Sequence, residues 1–343
     1  MSHQDTGDEG LADVALLVRA FQLSKMLQVA AALDLADWVA DGPQPVARLA
    51  SDCGADPSML LRLCRALAAF GIFKVTSDGQ VSQTTRSAWL RKDAKPTLYY
   101  AAQFWTTPGN WQAWANLEHT IRTGRSSFQE TFGIGQFEYN VTHPDEASLF
   151  DLFMQHSPDD RHAAVVEAYD FSDAGLVVDL GGGNGALLAT ILRACPDVKG
   201  LLFDQEAVVA SAPEILRRLG LSERCRIEAG NFFEAVPKGG DIYTLSQILH
   251  DWNDERCLSI LSNCREAMGP DARLLVIERV LDEEPGLTNP MSYLADMQMM
   301  VIHEGAKERT EAQFATLFAQ SGFGAPRVLP TRSPFYIVET RRA

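Results

Sequence analysis

Leu176–Gly185 reads LVVDLGGGNG, an apolar and β-branched run that meets one acid, Asp179, and then a cluster of glycines. The pattern predicts a buried strand delivering a tight turn. At Gly181, Gly182, Gly183 and Gly185 no Cβ keeps a ligand away from the backbone, and the helix expected over 186–194 directs its unpaired N–H groups into the same space. A nucleotide-like ligand is the natural occupant. Spacing does not choose the ligand, because Gly181, Gly183 and Ala186 also satisfy G-x-G-x-x-G/A, in which a pyrophosphate rests on a helix N-terminus.

Outward from this stretch, strands are expected at Leu176–Leu180, Gly200–Phe203, Cys225–Ala229, Asp241–Leu249 and Arg273–Val280, with helix-length segments between them. That alternation predicts an α/β fold with a doubly wound, Rossmann-like parallel sheet. The chain then closes with a helix over Glu311–Gly322 and two short β segments, around Val328 and over Phe335–Glu339, the second as an antiparallel insertion. In such a sheet the ligand crevice lies at the C-terminal strand ends. Those ends carry Gly181–Gly185, Asp204, Asn231, His250 with Asp251, and Glu278.

Each of these positions has two readings. Asp204 either accepts hydrogen bonds from a ribose diol or caps the next helix. Asn231 either reaches adenine or ribose or forms a turn. His250 ends the expected strand IYTLSQIL and projects into the crevice, where an imidazole of ordinary pKa, about 6.5, is mostly neutral and suits general-base work; otherwise it bonds backbone. Asp251 caps the following helix or touches a ligand, and Glu278 orients a histidine or ends its strand in solvent.

The N-terminal half is helical in pattern. Leu11–Trp38 lacks internal Pro and Gly and carries apolar residues at helical spacing until Gly42, Pro43 and Pro45. Next come a short helix over Pro45–Cys53, a Gly54-Ala55 turn, a helix capped by Asp56 and running through Ala69, and a hairpin turning at Asp78-Gly79. This is a winged-helix pattern, yet the would-be recognition helix offers only Arg62 and Arg65, too few for a phosphate footprint. A scaffold or dimerisation role is expected instead. Tyr99–Trp114 is aromatic-rich, as cores and subunit interfaces are, and Phe128–Phe137 reads as a connecting loop.

Bulk properties agree. The 343 residues suggest two domains, and a net charge of -15 opposes nucleic acid or an anionic membrane as partner. The cysteines Cys53, Cys64, Cys195, Cys225, Cys257 and Cys264 are scattered, and the first ten residues are acidic and polar, so a reducing cytoplasm is expected. No metal is expected: His156 and His162 with Asp159 and Asp160 do not share a helix face, and His303 has no recognisable partner.

VVDLGGGNG, LLFD, GNFF, ILHDWNDERCLSIL and GAKERT, in this order, resemble the S-adenosylmethionine-dependent O-methyltransferases of the plant phenolic type and their bacterial secondary-metabolite relatives. The resemblance covers nearly the whole chain, with HDW-x-D-x-x-C-x-x-IL as its specific element. It implies an N-terminal helical, winged-helix-like dimerisation domain over 1–165, a class I methyltransferase domain over 166–343, and a homodimer. It implies donor binding at Gly181, Gly183 and Gly185, ribose on Asp204, and adenine near Gly230, Asn231 and Phe232, where Asn231 replaces the family's Asp. Asp179, Gln205 and Ser246, the last standing where plant members often carry Lys, complete the candidate donor set. His250 aligns with the catalytic base and Glu278 and Glu308 with its flanking carboxylates. Phe153, Met154, Asp251, Met291, Asp296, Met297, Met300 and Trp105 are candidate acceptor contacts in a cleft between the domains.

The implied activity is methyl transfer to a hydroxyl of a small aromatic acceptor, with nitrogen acceptors or a repurposed fold as alternatives. A NAD-dependent oxidoreductase would want a second nucleotide half, and none follows Glu278; a DNA-binding regulator would have to use the poorly basic winged helix.

Overall fold

A computed structural model describes residues 8–156, 160–284 and 290–343. The chain divides into two compact units, one of residues 1–115 and 137–158, the other of 116–136 and 159–343.

The first unit is mainly helical. Helices Asp8–Val18, Ala20–Ala32 and Leu35–Trp38 precede β1 (Gln44–Pro45), and helices Val46–Cys53 and Pro57–Ala69 precede the hairpin of β2 (Phe73–Val75) and β3 (Gln80–Gln83). The three strands form an antiparallel sheet in the order β1-β3-β2. Asp56 starts the second of these helices as expected: its side chain accepts the Met59 N–H at 2.9 Å, and Pro57 needs no donor in the first turn. Leu35, Leu49, Leu60, Cys64, Leu67, Phe73 and Val81 fill the core. Further along, Phe104 stacks on Phe153 with ring centroids 4.9 Å apart, and Trp105 meets Phe153 edge-on at 5.3 Å. The first two helices leave Leu11, Val14, Leu17, Val18 and Phe21 more than half exposed.

The second unit is built on a seven-stranded sheet. Its strands are β4 (Leu176–Leu180), β5 (Lys199–Asp204), β6 (Cys225–Ala229), β7 (Ile242–Ser246), β8 (Arg273–Glu278), β11 (Arg327–Pro330) and β12 (Tyr336–Arg341), in the order β11-β12-β8-β7-β4-β5-β6. β4 to β8 run parallel, and β12 is inserted antiparallel between β8 and β11, as the closing β pattern predicted. The short β9 (Val280–Leu281) and β10 (Arg309–Thr310) pair parallel to one another in a separate ladder.

Burial on both faces explains the unbroken apolar runs. In β8, Leu275 and Ile277 pack with helices Arg161–Ala168 and Ala186–Ala194, while Leu274 and Val276 pack with Asp254–Ala267 and Glu311–Gln320. Each such side chain contributes about 1.5–3 kcal/mol on burial. The order of strands reverses at β4, with β5 on one side and β7 on the other, so the crevice opens beyond their C-terminal ends.

Three expectations need correction. The strand expected over Asp241–Leu249 ends at Ser246: the Gln247 N–H still donates to the Ile277 carbonyl at 3.0 Å, but its φ of +55 turns the chain out of the sheet, Leu249–Asp251 form a 3-10 turn, and His250 sits on that turn. The strand expected to reach Val280 ends at Glu278. Phe128–Phe137 is not a loop: Ser127–Phe132 is a helix, capped by the Ser126 hydroxyl accepting the Gln129 N–H and stopped by Gly133 at φ +73, and a further helix begins at Gln136.

Candidate active site

At the β4 end the chain turns through Gly181, whose Cβ position is closed off by Ile248 and Phe232. This contact brings the residues after β4, β6 and β7 to one place. Gly183 follows at φ +60, and nothing lies within 4 Å of where its Cβ would stand. The backbone there is bare toward open space, and Gly185 begins the helix Ala186–Ala194.

Asp204, the last residue of β5, turns its carboxylate across this loop. It accepts the Gly183 N–H at 2.9 Å and the Gln205 N–H at 2.7 Å, one on each oxygen. A carboxylate has about four acceptor sites, so two stay available to ligand hydroxyls. Burial raises its pKa against those two N–H bonds. Asp179 lies beneath the loop, fully buried, with Oδ1 accepting the Thr244 hydroxyl at 2.6 Å and Oδ2 without a hydrogen-bond partner among the described residues. Burial pushes its pKa up to about 7, the Thr244 bond opposing and the Asp204 charge assisting.

The other donor candidates behave less uniformly. Asn231 is exposed and bonds within its own turn, Oδ1 accepting the Phe233 N–H at 3.0 Å and Nδ2 donating to Glu234 at 2.9 Å. Phe232 packs edge-on to Phe233 and Trp252. Ser246 ends β7 half-buried beside Ile277, Gly230 abuts the Phe203 ring, and Gln205 is exposed with its N–H on Asp204.

His250 stands where the 3-10 turn crosses the ends of β8 and β10. Its Nδ1 lies 3.0 Å from Glu308 Oε1 and 3.5 Å from Glu278 Oε2, and its Nε2 lies 3.5 Å from Asp251 Oδ1. Both glutamates are buried, and Oε2 of each lacks a hydrogen-bond partner among the described residues. Glu278 spends Oε1 on the N–H groups of Ile248 and Leu249, at 3.0 and 2.9 Å, which holds the turn in place after Gln247 leaves the sheet. Glu308 is brought in by the pairing of Arg309 with Val280, two residues beyond Glu278.

The surroundings of His250 are not those of an ordinary imidazole. Burial pushes the His250 pKa down, but the charges of Glu278, Glu308 and Asp251 and the Glu308 hydrogen bond outweigh it and raise it to about 10. Burial likewise raises Glu278, to about 7, with His250 opposing and Glu308 adding to the rise. At neutral pH the ring therefore keeps a proton among carboxylates. Ligand atoms of His250, Glu278 and Glu308 lie within 4.8 Å of one another, compact enough for an ion; in the expected non-site, Asp159 lies outside the described residues.

His303, assigned no partner from sequence, lies with Nε2 3.7 Å from Asp251 Oδ1, so one carboxylate oxygen stands near both imidazoles. Nothing in the spacing announced this, because His303 follows a helix, Pro290–Ile302, 52 residues downstream. Asp296, on that helix, accepts the Glu308 N–H at 2.9 Å, a supporting contact. Met297 and Met300 are half-buried on the same helix, and Met291 is 63% exposed. Phe153, Met154 and Trp105 belong to the first unit, where Phe153 packs within its aromatic cluster.

Comparison with known proteins gives two family matches, an O-methyltransferase domain over residues 114–324 and an O-methyltransferase dimerisation domain over 16–93. A phenazine O-methyltransferase, PhzM, of Lysobacter antibioticus is 40% identical over 95% of this chain and 94% of its own. The structure of the mitomycin 7-O-methyltransferase MmcR superposes with a TM-score of 0.91 at 35% identity, covering 98% of both chains. NcsB1, an O-methyltransferase of neocarzinostatin biosynthesis solved with S-adenosylmethionine and 2-hydroxy-5-methyl naphthoic acid, gives 0.82 at 31%, over 94% of this chain and 96% of its own.

Proposed function

The chain belongs to the S-adenosylmethionine-dependent O-methyltransferase family of secondary-metabolite type, and from that premise we propose that it methylates a hydroxyl of a small aromatic acceptor with His250 taking the hydroxyl proton. The observation that carries this reading is His250, held at Nδ1 by Glu308 and presented on a turn packed against the glycine loop.

The loop suits the donor. Gly183 offers bare backbone to open space, Asp204 keeps acceptor capacity for ribose hydroxyls, and Gly181 and Gly185 shape the turn, so these residues would hold S-adenosylmethionine, with Asp179 and Phe232 supporting them from behind. Gly230, Gln205 and Ser246 would line its edge, and Asn231 would have to release Glu234 to reach adenine. When bound, the donor supplies an electrophilic methyl group on a sulfonium.

A neutral hydroxyl is a poor nucleophile, and removing its proton as the new O–C bond forms is worth a factor of about 10² to 10⁴. Because Nδ1 faces the glutamates, Nε2 is the atom that receives the proton, and only enzyme whose ring is neutral can take it. The carboxylates give the ring a proton affinity near that of a phenolate, about 10, so ring and acceptor hydroxyl share one proton on nearly equal terms. Glu278 and Glu308 stabilise the imidazolium, and Asp251 with His303 flanks the Nε2 side. The dimerisation domain and the exposed apolar stripe of the first two helices support a homodimer.

The experiment is an acceptor screen. Purified protein with S-adenosylmethionine and a panel of hydroxylated aromatic acids should yield products heavier by one methyl in place of hydrogen, with the methyl on oxygen. Methyl on nitrogen alone, or no methyl transfer to any member, would overturn the reading.

A further inference from the structure

The segment Lys307-Glu308-Arg309 encloses the turn that carries His250. The Lys307 N–H donates to the His250 carbonyl at 3.0 Å, and the Glu308 carboxylate meets the ring. Arg309 does the rest. Its side chain is 1% exposed, and its Nη1 donates to the Leu249 carbonyl at 2.8 Å while Nη2 donates to the Trp252 carbonyl at 3.0 Å. One planar group thus grips the backbone immediately before His250 and immediately after Asp251.

The remaining donors of the guanidinium fix its own orientation. Nε and Nη2 donate to Asp254 Oδ1 at 3.2 and 2.8 Å, Nη2 approaches Cys257 Sγ at 3.3 Å, and Nη1 reaches the Lys307 carbonyl at 3.4 Å. The Cys257 thiol in turn donates to the Leu249 carbonyl at 3.2 Å. Inside the turn the Leu249 carbonyl accepts the Trp252 N–H at 3.2 Å, and Arg309 adds a charged donor to it and to the Trp252 carbonyl just beyond the turn.

We propose that Arg309, oriented by Asp254, is a positioning residue for methyl transfer: it sets the angle of the His250 ring to Glu308 by clamping the carbonyls of Leu249 and Trp252. This rests on the reading of His250 as the proton acceptor. Lysine keeps the charge but has a single head group and cannot span two carbonyls and a carboxylate in one plane. Misplacing a reacting group by about 1 Å costs on the order of 10²-fold in rate.

The test compares Arg309→Lys, Asp254→Asn and His250→Ala by donor affinity in calorimetry, melting temperature, and kcat and KM across pH. The expected result for R309K is kcat lowered about 10- to 100-fold with donor Kd and acceptor KM within about threefold of wild type, and the alkaline pH dependence of kcat moved to lower pH because Glu308 no longer meets the ring squarely. D254N, whose side chain is half-exposed and lies outside the reacting groups, should show the same pH shift with a smaller loss. If R309K does not fold, D254N carries the decision. Wild-type kcat and pH profile in the folded variants would overturn the proposal. His250→Ala at wild-type rate would sink the underlying reading instead, and the two failures are separate measurements.

Discussion

Nδ1 of His250 and Oε1 of Glu308 stand 3.0 Å apart although 58 residues separate them in the chain. That contact, made with the Glu308 carboxylate buried, commits one ring nitrogen to the protein and leaves the other for chemistry. Replacing His250 with Ala should therefore leave S-adenosylhomocysteine affinity within about twofold and lower kcat by about 10² to 10⁴. Calorimetry with S-adenosylhomocysteine and a steady-state assay check the two halves.

The same carboxylates predict a pH dependence. With the His250 pKa raised to about 10, the acceptor-free enzyme carries a protonated ring at neutral pH, so kcat/KM for the acceptor should climb as pH rises from 7 toward 10. Glu308→Gln removes one of the raising charges, so its profile should climb at lower pH, with a smaller maximum because the imidazolium is less stabilised. A profile that is flat above pH 7 in the wild type contradicts this assignment.

Metal removal gives a third outcome. Dialysis against EDTA should leave the rate unchanged, and added divalent cations should not increase it, because methyl transfer from a sulfonium to a hydroxyl needs only a proton acceptor. A rate lost on chelation and restored by one metal would reassign the cluster.

Gly183 separates folding from binding. Its φ of +60 costs a non-glycine residue about 1–2 kcal/mol, but its Cβ position is empty, so Gly183→Val should still fold while weakening donor binding about tenfold or more. Gly181→Val, facing Ile248 and Phe232, should lose stability as well. Melting curves with and without S-adenosylhomocysteine distinguish the two.

Leu11, Val14 and Val18, three and four residues apart, share one face of the first helix and are more than half exposed, as are Leu17 and Phe21. A homodimer at micromolar concentration is expected, and Val14→Asp with Val18→Asp should give a monomer by light scattering.

The strands are legible because they are buried on both faces: LVVDL, LLFD and LLVIE are largely apolar runs that local pattern identifies, whereas their order in the sheet is not written in any one run. The turn bearing His250 is not legible. The chain turns out of the sheet after Gln247, where Glu278, 30 residues beyond Ile248, takes the N–H groups of Ile248 and Leu249. No local pattern encodes such a bond. The helix Ser127–Phe132 is hidden for a different reason: Gly133 and Gly135 suggest a loop, whereas Gly133 ends a helix whose start is marked by Ser126. The proton affinity of His250 was invisible because it is set by Glu278 and Glu308, and Glu308 entered the site only through family resemblance.

The antiparallel placement of β12 has a consequence for synthesis. Residues 336–341 cover the edge of β8, yet they leave the ribosome after everything they cover. Until then a nascent chain presents Arg273–Glu278, with its run LLVI, as an open ladder able to pair with any other extended segment. The sheet of this unit is thus left with an exposed edge until its last described strand pairs.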